Sequence, residues 1–359
     1  MAVVALLASS CVFDGSWALT TPIDPTPEAD APAFTDVSCP TATFCMAIGS
    51  DGDLPYSNGD EPFVEVWDGT SWSVAAGPDL PAGTIAGWPL QVSCGTPTSC
   101  GVAWGASFDG SYHALLARWD GTTWSSAPQS GTAMDEPAVS CAPDGSCVFV
   151  NGLAGTAVWD GSAFVPTNSN DPDLTDLSCV SASFCMGVSR SGSDGRVWDG
   201  SGWWSPVGIP HAYNNGYAAW RSVSCTSTTD CLAVGFFEKE DMFSNVAIAA
   251  RWDGTGWRAT SLPFTGDGAL GAVSCAGAFE CVALGTAEVG TPATFQQVAL
   301  GWNGSQWITA TDPPRPTGAR YNAIGCSPDR QCLAVGSAGT PGAYEPLAAS
   351  YDWVPGPPA

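Results

Sequence analysis

Apolar residues fall in short runs along this chain, never in a long amphipathic stripe. Segments such as Cys45-Met46-Ala47-Ile48-Gly49, Ala114-Leu115-Leu116-Ala117 and Cys231-Leu232-Ala233-Val234-Gly235 are bounded by Gly, Pro, Ser, Thr or Asp. No segment sustains the 3.6-residue spacing that buries one face of a helix. Apolar runs this short, closed by turn residues, predict strands covered on both faces. The 42 Gly and 29 Pro punctuate the whole length, which also argues against helices.

The strand signals repeat. Cysteines stand at 39/45, 94/100, 141/147, 179/185, 225/231, 275/281 and 326/332, each pair spaced C-x5-C, and Cys11 is left over. A second motif keeps the same beat: Trp67-Asp68-Gly69, Trp119-Asp120-Gly121, Trp159-Asp160-Gly161, Trp198-Asp199-Gly200, Trp252-Asp253-Gly254 and Trp302-Asn303-Gly304. An aromatic follows at Trp72, Trp124, Phe164, Trp203, Trp257 and Trp307. Seven copies of a unit of about 50 residues signal a solenoid, propeller or array. Each unit reads as four strands. The first ends in apolar-Ser-Cys, the second starts at the next cysteine, the third runs into the tryptophan, and the fourth follows the Asp-Gly. Asp-Gly predicts a two-residue hairpin turn, which would set Trp119 opposite Thr122 and bring Trp119 and Trp124 together diagonally.

The predicted fold is therefore all-β, a seven-bladed β-propeller of four-stranded blades. The ends fit a ring. Phe13-Asp14-Gly15-Ser16-Trp17 copies the turn into a fourth strand with no cysteine pair before it, and Leu347–Trp353 copies a third strand with no fourth after it. The strand Ser16–Thr20 is expected to close the last blade. The expected organisation is an export segment over 1–11, the propeller over 12–354 and a tail over 355–359.

Two cysteines flanking a five-residue hairpin loop can face each other at disulfide distance. All fourteen paired cysteines are expected to bridge: Cys39 to Cys45, Cys94 to Cys100, Cys141 to Cys147, Cys179 to Cys185, Cys225 to Cys231, Cys275 to Cys281 and Cys326 to Cys332. Each bridge closes a short loop and stabilises by about 2 kcal/mol. Zinc fits less well, because structural zinc cysteines are spaced more closely and histidine often assists, and the chain has only His113 and His211. Disulfides on this scale require an oxidising compartment, so the expected location is extracellular or at the cell envelope. The run Ala2–Ala8 before Ser9-Ser10-Cys11 can be read in three ways: as the end of a lipoprotein signal with Cys11 lipidated, as an ordinary or incomplete signal, or as a blade-edge strand.

Charge narrows the partners. The chain has 10 basic and 35 acidic residues, a formal net charge of -25, and a single lysine, Lys239. Only 13% of residues are charged, against about 25% in ordinary domains, so the acidity comes from missing basic residues. Such a surface repels nucleic acid and anionic lipid. Membrane contact is expected only through a lipid anchor.

The pattern Val-Ser-Cys…Cys-x-Ala-Val-Gly…Trp-Asp-Gly-x-x-Trp, over about residues 12–354, resembles the secreted propeller-like repeat proteins common in actinobacteria, some of which carry sialidase-like or BNR-repeat labels. The resemblance implies a propeller and export. It implies no particular activity, since propellers host many functions. The Asp-box of sialidases is Asp-x-Gly-x-x-Trp, whereas these repeats have one residue fewer. Of nine arginines, Arg118 and Arg251 sit at one repeat position and read as structural, which leaves Arg320-Tyr321 without visible partners.

Strand order puts the cysteine loops and Asp-Gly turns on one face, and the loops between second and third strands, with the links between blades, on the other. The first face is nearly constant in length and the second varies, so recognition is expected on the variable face. Its strongest candidate is the link into the fifth unit. There His211, Tyr213, Asn214, Asn215, Tyr217 and Trp220, with Phe236 and Phe237 nearby, combine stacking surfaces with amides, which suits sugars or a protein partner. Trp88, Trp104, Tyr112 and His113 are further aromatics on that side. Asp51/Asp53 and Asp171/Asp173/Asp176 match no calcium loop and read as solvated loop. No nucleotide, triad or zincin motif is present; no cofactor, metal site or catalytic residue is expected.

The function expected is binding of a glycan or extracellular protein without catalysis. The alternatives are a glycan-active hydrolase or lyase at the central mouth, and a passive structural module. Paired carboxylates and an arginine converging in the channel would favour the hydrolase.

Overall fold

The computed structural model describes residues 15–24, 31–51, 62–84, 86–108, 111–132, 137–151, 155–167, 174–189, 194–204, 208–211, 216–240, 244–290, 294–340 and 343–353. Its strands form seven four-stranded antiparallel sheets. Each inner strand carries the first cysteine of a pair or leads into it: Ala33–Thr41, Ala86–Thr96, Ala138–Cys141, Asp176–Ser181, Gly216–Ser227, Gly268–Gly277 and Arg320–Cys326 for blades 1 to 7. Strands of blades 1 to 6 follow in chain order from the channel to the rim. In blade 7 the outermost strand comes from the other end of the chain. Gly15–Thr20 pairs antiparallel with Ala343–Trp353, Gly15 opposite Trp353 and Thr20 opposite Ala348.

The apolar runs become the second and third strands, buried on both faces because each sheet stacks between two others. Seven core clusters follow, each spanning two adjacent blades. The cluster at the closing seam joins Phe34 and Val37 of blade 1 to Leu333, Val335 and Ala348 of blade 7. Blade 1 also grips the chain leaving the closing strand. Trp72 Nε1 donates to Thr20 Oγ1 at 2.9 Å, and the fully buried Glu65 accepts the Ile23 amide on Oε2 at 3.1 Å. Burial raises the Glu65 carboxyl to about 7.

All seven C-x5-C pairs are disulfides across the first hairpin of each blade, with Cα atoms 3.9–4.1 Å apart. Seven disulfides fit folding in an oxidising, extracellular environment. The Trp-Asp-Gly turn differs from the two-residue hairpin expected. Trp119 sits opposite Trp124, not Thr122, and their rings meet at 5.4 Å. The cause is the aspartate: Asp120 Oδ1 accepts the amides of Thr122 and Thr123 at 2.8 and 2.7 Å, so a four-residue capped loop replaces the tight turn. Those bonds hold the Asp120 carboxyl well below the usual range. Gly121, at φ 102°, supplies a backbone conformation that other residues resist.

Candidate functional site

The inner strands enclose an axial channel of 330 Å³ lined by all seven blades. Two polar layers build its wall. The deeper layer is the serine of each apolar-Ser-Cys segment. Its Oγ accepts the backbone N–H of the first cysteine in the next blade: Ser38 from Cys94, Ser93 from Cys141, Ser140 from Cys179, Ser178 from Cys225, Ser224 from Cys275 and Ser274 from Cys326, all at 2.8–3.1 Å. Blade 7 has Gly325 in this place. A Cβ there would lie 2.9 Å from Val37 O and 3.2 Å from Cys39 N, so the closing seam is too tight for the serine.

The second layer lies nearer the variable face, three residues before each first cysteine. Asp36 Oδ2 accepts Val92 N of blade 2 at 2.8 Å, and its Oδ1 accepts Val37 N at 2.8 Å. Gln91 Oε1 accepts Val139 N of blade 3, and its Nε2 donates to Asp176 Oδ1 of blade 4, both at 2.6 Å. Blade 3 has only Ala138 at this level, which lets Gln91 reach past it. Asp176 also accepts Leu177 N and Val223 N at 2.8 Å, and Ser222 accepts Val273 N at 3.2 Å. Burial pushes the Asp36 carboxyl up to about 7, against the pull of its two amide donors and with a push from Asp176; the Asp176 carboxyl rises to about 6 for the same leading reason. Asp36 keeps some water contact inside the bore, but the surrounding protein still desolvates it. No ion pair reaches either carboxylate among the described residues.

The mouth on the variable face is made by a repeated β-bulge. Pairing between the first and second strands skips Thr35, Leu90, Arg221, Gly271 and Asn322 in blades 1, 2, 5, 6 and 7. A bulge leaves its extra residue unpaired and re-aims it, and all five line the channel. The Arg221 guanidinium lies 5.1 Å over the Phe236 ring. Asn322 Nδ2 donates to Phe34 O across the closing seam at 2.7 Å. Beside Gly271 a second cavity of 290 Å³ runs between blades 6 and 7.

The described residues of the link chosen from sequence divide between core and surface. Trp220 and Phe237 are fully buried in the blade 4–5 core, where they have no face to offer a ligand. Phe236 is half-buried under Arg221. His211 stacks 5.1 Å from Phe237 and walls a 260 Å³ cleft with Ile248, Leu262 and Phe264. Tyr217 is exposed, at 41%, at the start of its strand on the variable face. Tyr213, Asn214, Asn215 and Cys11 lie outside the described residues, as do Asp53, Asp171, Asp173 and the side chains of Trp88 and Tyr112. Trp104 is buried. Asp176 is not solvated loop but channel wall, bonded to Gln91 of blade 2 and Val223 of blade 5. Arg118 and Arg251 are structural as expected, bonded to Ser99 and Asp230. The Tyr321 hydroxyl is spent on Pro314 O, and burial raises its pKa. Asp36, Gln91 and Ser222 went unnoticed in sequence, although each is a polar residue directly before the apolar-Ser-Cys signature.

No family model matches the chain, and no curated protein does. Solved structures share the fold at low identity. A GH74 xyloglucanase from Xanthomonas campestris is 14% identical with a TM-score of 0.59, over 93% of this chain and 55% of that one. This chain thus spans about half the length of that enzyme. A protein of unknown function from Dyadobacter fermentans is 10% identical, TM-score 0.51, over 94% and 98%. An α-L-arabinofuranosidase from Fusarium graminearum is 9% identical, TM-score 0.50, over 94% and 97%. At such identities the likeness establishes the propeller alone.

Proposed function

We propose that this protein is an exported propeller that binds a glycan on its variable face at the cell envelope and does not cleave it. One observation carries the non-catalytic reading: all four carboxylate oxygens of Asp36 and Asp176 already accept hydrogen bonds from inner-strand amides or Gln91. A general acid or nucleophile needs an oxygen free to meet substrate, and these two carboxyls fasten blades. A glycan is favoured over a protein partner because only two large aromatics described on this side, Tyr217 and Phe295, are exposed, fewer than the aromatic cluster that anchors a protein interface. Glycan-active proteins among the structural neighbours are compatible with this reading. Screening the purified protein on immobilised neutral and acidic glycans tests it; retention of none, with retention of an envelope protein instead, replaces it.

A second reading, glycoside hydrolysis, has its own support. Two carboxyls share one bore, and burial that holds a carboxyl protonated near neutral pH is what a general acid requires. Release of reducing ends from a bound oligosaccharide, abolished by Asp36→Asn or Asp176→Asn, would establish it. Anchoring is a separate question: an unmodified Cys11 in the intact mass of exported protein excludes a lipid anchor.

A further inference from the structure

At the channel mouth, four bulged positions carry Thr35, Leu90, Arg221 and Asn322, and the fifth carries Gly271. Nothing lies within 4 Å of where a Cβ at Gly271 would stand. The missing side chain therefore opens a notch in the ring. Gly271, Ala272 and Asn322 line both the 330 Å³ channel and the 290 Å³ cavity between blades 6 and 7, so the notch joins them. Together they reach the size of a small-molecule site, about 300–1,000 Å³.

We propose that this notch seats one uncharged sugar ring, with the cavity as its specificity pocket; the inference rests on the glycan-binding reading above. The walls give the chemistry. Ala269, Ala272 and Leu284 offer an apolar strip for the carbon face of a ring. Thr286 and Asn322, both exposed, offer a hydroxyl and an amide oxygen, the Asn322 Nδ2 being committed to Phe34 O. The floor is rigid: Gln297 spans the seam, accepting Tyr321 N at 3.2 Å and donating to Tyr321 O at 3.5 Å. Apolar strip and fixed polar groups on one wall match the two sides of a pyranose or furanose. The bore behind holds Asp36 and Asp176, and the chain carries a formal charge of -25. Arg221 also lines the bore, its guanidinium held over the Phe236 ring, but the net negative field of the whole chain works against an anionic ligand, so neutral sugars are favoured over uronates and sialates.

Gly271→Leu projects a side chain into the notch from a Cβ that meets nothing within 4 Å, at a position without a positive φ. Asn322→Ala removes one polar wall group. Phe279→Ala, exposed in the cysteine loop of blade 6 on the opposite face, is the comparison. The probes are xylo-, cello- and arabino-oligosaccharides with glucuronic-acid-bearing counterparts, titrated calorimetrically into the full chain, with melting temperature as a check on folding. The expected result is neutral-sugar binding that Gly271→Leu weakens roughly 10-fold or more, Asn322→Ala weakens less, and Phe279→Ala spares, with no binding of the acidic set. Undiminished affinity in folded Gly271→Leu and Asn322→Ala overturns the seat and leaves the glycan reading standing. Preference for the acidic set overturns the sugar class. Failure of the wild type to bind any sugar overturns the glycan reading and the seat with it.

Discussion

Replacing Asp36 by Asn removes a buried titrating group from the wall of the channel, and the consequence depends on pH in a calculable way. An ordinary aspartate loses its proton near 3.8, whereas Asp36 in the folded ring holds it to about 7. Between those values the folded protein keeps a proton that the unfolded chain has released, so stability falls as pH rises. The cost is absent below 3.8, and complete above about 7. Three pH units correspond to about 4 kcal/mol at most, reduced by whatever water reaches the bore. The amide that Asp36→Asn introduces cannot titrate, but it offers one acceptor where two amides, Val37 and Val92, donate. Losing one of those bonds costs about 1–3 kcal/mol at every pH. The variant should therefore be less stable than wild type at pH 4, and should gain on wild type by up to about 4 kcal/mol between about pH 4 and pH 8. Guanidinium unfolding of both proteins at the two pH values, disulfides intact, measures this. A stability difference that is the same at both pH values would refute the reasoning that burial governs this carboxyl.

Glu65 offers a cleaner comparison of the same sign. Only its Oε2 is used, so Glu65→Gln keeps the bond to Ile23 and should be more stable than wild type at about pH 8 and equal to it at about pH 4, read by the same unfolding curves. Ser140→Ala leaves the Cys179 amide without its acceptor and should cost about 1–3 kcal/mol, with hydrogen exchange accelerated first at Cys179; Gly325→Ser should also destabilise, because its Cβ has no room. Asp120→Ala should speed exchange of the Thr122 and Thr123 amides, while in wild type their protection should persist well below the usual aspartate range, since hydrogen bonding depresses the Asp120 pKa. Alkylation under denaturing conditions should label none of the fourteen paired cysteines until a reductant is added.

The repeat made the architecture legible because its cysteines, tryptophans and turn residues perform one job seven times. Each C-x5-C could only flank a hairpin, and the spare strand at one end matched the deficit at the other. What escaped was everything that breaks the repeat. Asp36, Gln91, Asp176 and Ser222 occupy a position that is alanine in the other three blades, so three of them looked like scatter and Asp176 like solvated loop until neighbouring blades were brought within hydrogen-bonding distance. Gly271 was one glycine among 42, and only the bulge gives its missing side chain a meaning. Two aromatics at the blade 5 link misled for the opposite reason. Trp220 and Phe237 carry the residue types that recognise ligands, but the same apolar surface buries more favourably between two sheets. The Trp-Asp-Gly turn also shows a side chain overriding a dipeptide preference, since the carboxylate caps the amides that a two-residue turn would have left to the strands.

The central claim is that this ring holds sugar without cutting it, its channel carboxyls serving as fasteners. Incubating the wild type with a neutral oligosaccharide it retains, and following both bound ligand and released reducing ends, tests that claim most directly. Saturable binding with no new reducing ends, and with affinity kept in Asp36→Asn and Asp176→Asn, is the result expected. Reducing ends that accumulate with wild type and vanish with either substitution would contradict it.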